Sequence, residues 1–306
     1  MDKIIDFLNS DFFYSFKKTP VAILSFIVSF GLILSAILAP IIAPYNPFDP
    51  STLNLMDGFS KPLEPNSFSG NKFLLGADDQ GRDVFSTILY GMRISLFVGF
   101  SAVLFAMILG VTLGLLAAMT GGRVDAIIMR IADIQLSFPS ILIAMLIFGI
   151  AKGITPIEMR NQMAIWVLIL SIGLSDWVQF ARVVRGAAMV EKSKEYVEAA
   201  HLIGRNSFSI ALRHILPNIS ASILVIATIS LALAIISEAT LSFLGVGAPP
   251  TQPSLGTLIR IGQGFLFSGE WWILFFPSMT LVMLALSINL LGDWLRNTLN
   301  PNLEKL

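Results

Sequence analysis

The 306-residue sequence contains no cysteine and only two histidines, His201 and His214. Disulfides and thiolate metal sites are therefore excluded, and two imidazoles in one polar stretch make a poor metal site. Charge is also scarce. Asp, Glu, Lys and Arg make up 13% of the chain, where soluble domains carry about 25%. The 20 basic and 20 acidic residues cancel, so the basic footprint that nucleic acid requires is missing. No GxxxxGK[ST] phosphate loop occurs, so the chain is not expected to hydrolyse ATP alone. No clustered nucleophile, base or metal-ligand set stands near the end of an apolar run, and no catalytic residue can be named.

What is present is apolar. Hydrophobic residues make up 55% of the chain and mean hydropathy is +0.78. Too few charges remain to build a polar shell, so lipid is the expected solvent for much of the surface. Six runs approach the ~20 residues that cross a bilayer: 21–39, 94–119, 126–151, 163–181, 219–236 and 271–292. The expected fold is all-α, an integral membrane protein with six transmembrane helices. The first 20 residues, MDKIIDFLNSDFFYSFKKTP, lack a signal-peptide layout and are expected to be a retained tail. Placing the N-terminus inside puts the larger share of Lys and Arg in the inner segments, so both termini are expected in the cytoplasm. The expected division is a tail at 1–20, a first helix with a long outer segment at 21–93, a transmembrane core at 94–292 and a tail at 293–306. No internal repeat is visible, so nothing suggests the inverted-repeat plan of many secondary transporters.

The inner segment 182–218 is the most informative stretch: RVVRGAAMVEKSKEYVEAAHLIGRNSFSIALRHILPN. It predicts helix, turn, helix. A first helix over about 191–203 places Tyr196, Ala199, Ala200 and Ile203 on one face. Gly204 ends it in the left-handed region. Ser207 caps a second helix carrying Ile210, Ile215 and Leu216, and Pro217 stops that helix before the next span. On periodicity alone, an amphipathic connector on the membrane surface fits as well.

Glu198-Ala199-Ala200, Gly204 and Leu216-Pro217 resemble the EAA signature of binding-protein-dependent import permeases, with one departure: His214 stands where the signature has Ile. Further stretches resemble the dipeptide/oligopeptide/nickel permeases in order along the chain. They are PYNPFDP after the first span, LGADDQGRDVFSTILYGMRISL at 75–96, GGRVDAIIMRIADIQLSFPSILIA at 121–144, EATLSFLGVGAPPTQPSLG at 238–256 and NLLGDWLRNTLNP at 289–301. The resemblance is to the second permease subunit type of ABC importers. It implies a type I ABC importer permease fold with a cytoplasmic EAA coupling loop, in the bacterial inner (cytoplasmic) membrane. It implies contacts with an ATPase centred on Glu198, Ala199, Ala200, Leu202, Ile203 and Gly204, with Pro217 closing the motif. Glu198 also fits a solvated charge that stabilises its own helix. The implied partners are a sister permease forming a heterodimer, two ATP-binding subunits, a periplasmic or lipid-anchored solute-binding protein and a small peptide. No cofactor is expected on this chain; ATP and Mg would sit on the ATPase subunits. Nickel complexes, glutathione and opines would suit the same scaffold. The turn AKGITPIEMRNQM at 151–163 is longer than in compact members, and 51–71 also looks extended; both bear on contacts with a solute-binding protein.

The motif Gly76, Asp78, Gly81, Arg82 and Asp83 is expected to be structural: a turn and helix start that hold the outer segment on the spans. Docking of a binding protein is its second reading. Ionisable residues inside the spans are functional candidates by default. Asp133 is expected to pair with Arg130 one turn away. Asp176 is expected to face Arg182 or a water-filled vestibule, and Glu238 to line the outer mouth. As relay residues, the three carboxylates would also suit an ion-coupled secondary transporter, which leaves the EAA loop unexplained. Gly110 and Gly114 form a GxxxG that permits close helix approach, within the chain or against a second one. Pro139 and Pro277 are expected kinks.

Overall fold

The structure is a computed structural model and describes residues 11–49, 53–66 and 69–299, with side chains from Tyr14 onward. The ends of both expected tails, 1–10 and 300–306, lie outside the described residues, as do 50–52 and 67–68 within the expected outer segment. Helix α1 (Asp11–Lys18) leads into α2 (Pro20–Ile37), which opens on a proline whose missing N–H has no intrahelical role there. The short α3 (Ala39–Ile42) follows a break at Leu38. The outer segment then runs to α4 (Val84–Thr120), α5 (Gly122–Leu136), α6 (Ser140–Ile154) and α7 (Arg160–Lys192). A short α8 (Glu195–Leu202) and α9 (Ser207–Ile210) precede a π turn, Ala211–Ile215, and α10 (Leu216–Phe243). The chain ends with α11 (Leu255–Gln263) and α12 (Trp271–Leu299). No strand occurs among the described residues; two isolated bridges, Pro65 with Lys72 and Ala77 with Asp83, tie the outer segment.

Among the described residues, five helices or helix runs are long and apolar enough to cross a bilayer. The sixth expected span, 126–151, is not one rod. It is α5 and α6, bent by 96°. Pro139 is the physical reason: it disfavours helical geometry at Phe138 and supplies no N–H, so the chain turns and Pro139 caps α6. Pro277, by contrast, lies inside the continuous α12. Several helices overrun their apolar cores. The one expected from 94 begins at Val84, the one expected to end near 181 runs to Lys192, and the boundary at 292/293 falls inside α12.

Burial is inverted relative to a soluble protein. Leu24, Ile27, Phe100, Ile108 and Val282 are exposed, while small residues such as Ala102, Ala106, Ala181 and Ala234 are buried. That is the pattern of helices packing through small residues and facing lipid with large ones. The most extensive pairing is α4 with α7. The GxxxG lies in this contact, so it packs within the chain. A Cβ at Gly110 would collide with the Trp177 carbonyl oxygen, and one at Gly114 would lie 2.6 Å from the Ala181 oxygen. Helix α10 packs on α4, α7 and α12, closing the bundle.

Candidate coupling site

Helix α7 carries the bundle to the end that holds the 182–218 loop. Lys192, its last residue, donates through Nζ to the carbonyls of Ala118 and Met119, both at 3.1 Å. Those are among the last carbonyls of α4, which lack helical partners, so one lysine caps a neighbouring helix. The chain then breaks at Ser193–Lys194, and α8 begins at Glu195, later than the expected start near 191. Glu191 holds the junction. It pairs with Lys194 at 2.7 Å and accepts from the Tyr196 hydroxyl at 2.7 Å. Asn218 on α10 donates to Tyr196 Oη at 3.0 Å and to the His214 carbonyl at 2.8 Å. Partial desolvation and the Glu191 hydrogen bond hold the Tyr196 phenol above its ordinary range.

The inward face of α8 is Val197 and Ala200, three residues apart; of the expected apolar face, only Ala200 is buried, while Tyr196, Ala199 and Ile203 are exposed. Val197 is fully buried and Ala200 is 8% exposed. Both join an apolar cluster with Leu115 and Ala118 of α4, Val184 and Ala188 of α7, and Ile210, Ile215, Ile219 and Ile223. The outward face carries Glu198 and Ala199, and the tip is bare: Leu202 is 89% and Ile203 80% exposed. Gly204 takes φ +83° with no other atom near its missing Cβ. The Arg205 N–H returns to the Ala200 carbonyl at 3.1 Å, closing the turn. Among the expected contact residues, Glu198, Ala199, Leu202, Ile203 and Gly204 share one open surface; Ala200 is turned into the core.

The second half of the loop also departs from expectation. Asn206, not Ser207, caps α9, accepting from the Ser209 N–H at 2.7 Å. Pro217 does not stop a helix. It sits in the first turn of α10, after the π turn, and the path continues from Ser207 to Phe243 as one span. The wider π turn accommodates a proline that an unbroken α-helix would resist.

Helix α5 is stitched to α7 above this site. Asp125 receives Arg185 Nε at 2.5 Å and Nη2 at 2.6 Å. Asp133 pairs with Arg182, not with Arg130, because the bend at Pro139 lays α5 along α7. Gln135 donates to the Leu174 and Ser175 carbonyls and accepts from Trp177 Nε1, each at 2.9 Å. Arg182 is thereby used, and Asp176 does not meet it; Asp176 is buried beside Ser175 Oγ at 3.3 Å.

At the opposite end, Asp83 caps α4, accepting from the Ser86 N–H at 2.9 Å and hydroxyl at 2.6 Å. Asp78 receives Arg82 Nε at 2.6 Å, both side chains almost wholly buried. Burial raises the carboxyl pKa of both aspartates, against the pull of Arg82 on Asp78 and of Ser86 on Asp83. Gly76 lies under Trp272, whose Nε1 donates to the Ala77 carbonyl at 3.1 Å. Gly81 lies against the Asn54 carbonyl. The motif clamps the outer segment to α12. Glu238 does not line a mouth. It is fully buried, accepting from Ser95 and Ser242 at 2.7 Å each. Those two hydroxyls accept in turn from the N–H groups of Leu255 at 3.2 Å and Ala248 at 3.0 Å, which folds the 245–256 loop over the carboxylate.

Residues 110–305, which include the whole inner loop, match the family of binding-protein-dependent transport system inner membrane components. The chain belongs to this family. Residues 8–62 of the permease also match the N-terminal transmembrane domain of oligopeptide transport permease C. It is 35% identical to the dipeptide transport system permease protein DppC of Haemophilus influenzae over 96% of this chain and 95% of that protein. It is 35% identical to the oligopeptide transport system permease protein OppC of Bacillus subtilis, covering 97% and 91%. The glutathione transport system permease protein GsiD of Pectobacterium atrosepticum is 37% identical, with 96% and 91% covered. In fold, the permease is similar to a chain of the MetNI methionine ABC transporter solved in inward-facing conformations. The TM-score is 0.55 at 21% identity, over 70% of this chain and 97% of that one. The permease is thus an inner-membrane, multi-pass subunit with an ABC importer permease fold.

The sequence missed the parts that fix the loop in place: Lys192 on α4, Asp125 with Arg185, and the Glu191–Tyr196–Asn218 link. Each joins residues through tertiary contact, and no local spacing rule announces such pairs.

Proposed function

We propose that this permease pairs with a sister permease to form the path for di- or oligopeptides, and that α8 couples it to an ATP-binding subunit. Two such subunits, carrying ATP and Mg, would close on nucleotide and move α8. Both termini and α8 would face the cytoplasm, and a solute-binding protein would deliver substrate from outside.

One observation carries this reading. Helix α8 has a bare tip at Leu202, Ile203 and Gly204, and an inner face locked by Val197 and Ala200 to the ends of α4, α7 and α10. A partner gripping the tip would therefore move the span ends together, biasing two states of the path by differential binding. Peptide is favoured as substrate by the DppC and OppC relatives; the GsiD relative makes glutathione the specific competitor.

Uptake tests the reading. The permease is co-reconstituted with its sister, the ATPases and the binding protein, and labelled dipeptide is supplied outside with ATP inside. Uptake should require ATP and persist when ion gradients are collapsed. Uptake that follows an ion gradient without ATP would refute it, and glutathione outcompeting dipeptide would change the substrate.

A further inference from the structure

At the start of α7, farthest from the coupling loop, a cleft of about 220 Å³ opens between the α6–α7 turn and the loop that follows α10. A 33-residue helix separates the two ends of the bundle, about 50 Å at 1.5 Å per residue. Three cations line the cleft: Lys152, Arg160 and Arg260. No carboxylate lines it, and none of the three has an ion-pair partner among the described residues. The geometry holds them there. Arg160 donates through Nε to the Thr155 carbonyl at 3.2 Å, which fixes its side chain at the wall. Arg260 Nη1 lies where a Cβ on Gly245 would stand, 2.6 Å away, so the positive-φ glycine admits the guanidinium.

Three like charges gathered in one concavity repel each other, and a cleft of one sign focuses its field on an incoming anion. We propose that this cleft is the seat for an acidic side chain, Asp or Glu, on the surface of the solute-binding protein. This rests on the importer reading above and adds the docking contact to it. Size favours a side chain over a whole solute, since small-molecule sites run to about 300–1,000 Å³. Position favours a protein partner, because the cleft lies at the ends of α6 and α7 beside the 245–250 loop, and Lys152 and Arg260 stand exposed at its rim. The longer 151–163 turn supplies two of the three cations.

The test uses the complete complex in nanodiscs of neutral and, in parallel, of anionic lipid, with the purified solute-binding protein and its stimulation of ATPase as readout. Lys152→Gln, Arg260→Gln and the double variant are compared with the native complex at low and high salt. The double variant should bind the binding protein about tenfold more weakly at low salt and lose most of the salt dependence. Basal ATPase without binding protein should stay unchanged, which shows that the variants fold. Lys152→Gln alone, at an exposed site, should give a partial loss in the same direction. Unchanged affinity and salt slope would overturn the proposal. So would a defect confined to the KM for peptide, which would mark a solute site, or one seen only in anionic lipid, which would mark a headgroup site. If the native complex shows no stimulation by any binding protein, the importer reading fails instead.

Discussion

Glu238 illustrates what a single residue does in this fold. Its carboxylate is fully buried and held by two serine hydroxyls that also anchor the 245–256 loop. Glu238→Ala removes both acceptors and leaves a void, and is expected to cost about 2–4 kcal/mol. Glu238→Gln, which keeps the shape and one acceptor, should cost less. Thermal unfolding in detergent checks the order, and equal melting of the two variants would contradict it. Gly204 makes a different prediction. Its φ of +83° with open space around it means that only backbone strain opposes a side chain. A non-glycine residue there pays about 1–2 kcal/mol, less for Asn. ATPase stimulation by binding protein should therefore fall in the order Gly, Asn, Ala, Val, and a flat series would deny that the turn matters. Gly204 was legible in sequence because a glycine after an amphipathic run marks a helix end. Glu238 was legible only as an anomaly, since its serine partners come from 143 residues away and from the next turn.

Among the elements, spans announced themselves and junctions did not. Long apolar runs predicted where helices cross, because composition alone decides that. The bend between α5 and α6 was legible as a kink at Pro139, but not as a 96° turn that lays α5 along α7. Pro139 breaks the helix, and cross-helix pairs such as Asp125 with Arg185 hold α5 against α7. That pair is two-pronged and half-buried, so its coupling should be about 1 kcal/mol. A double-mutant cycle of Asp125→Asn and Arg185→Gln measures it. The double variant should be no less stable than either single one, and strictly additive losses would show that the pair does not act as a unit. Helix α8 shows the same division. Its existence and its terminal glycine were legible. Its buried face was not, because an eight-residue helix offers only two turns of periodicity, too few to say which side meets the spans.

At the scale of the molecule, the two ends of the bundle are built for different contacts. One end is a bare apolar tip packed on three spans, and the other carries the clamped segment and the basic cleft. In the proposed function, the energy of ATP on a partner subunit reaches the permease through the first. The most direct test exploits the absence of native cysteine. Leu202→Cys is placed in the complex with an ATP-binding subunit carrying one cysteine in its groove, and Ala200→Cys serves as the control because Ala200 is turned inward. Oxidation should crosslink Leu202→Cys to the ATPase, with a yield that changes on adding ATP, while Ala200→Cys reacts weakly. No crosslink at Leu202 or Ile203 in a complex shown to be intact, or equal reaction at Ala200, would contradict the assignment of α8 as the coupling element.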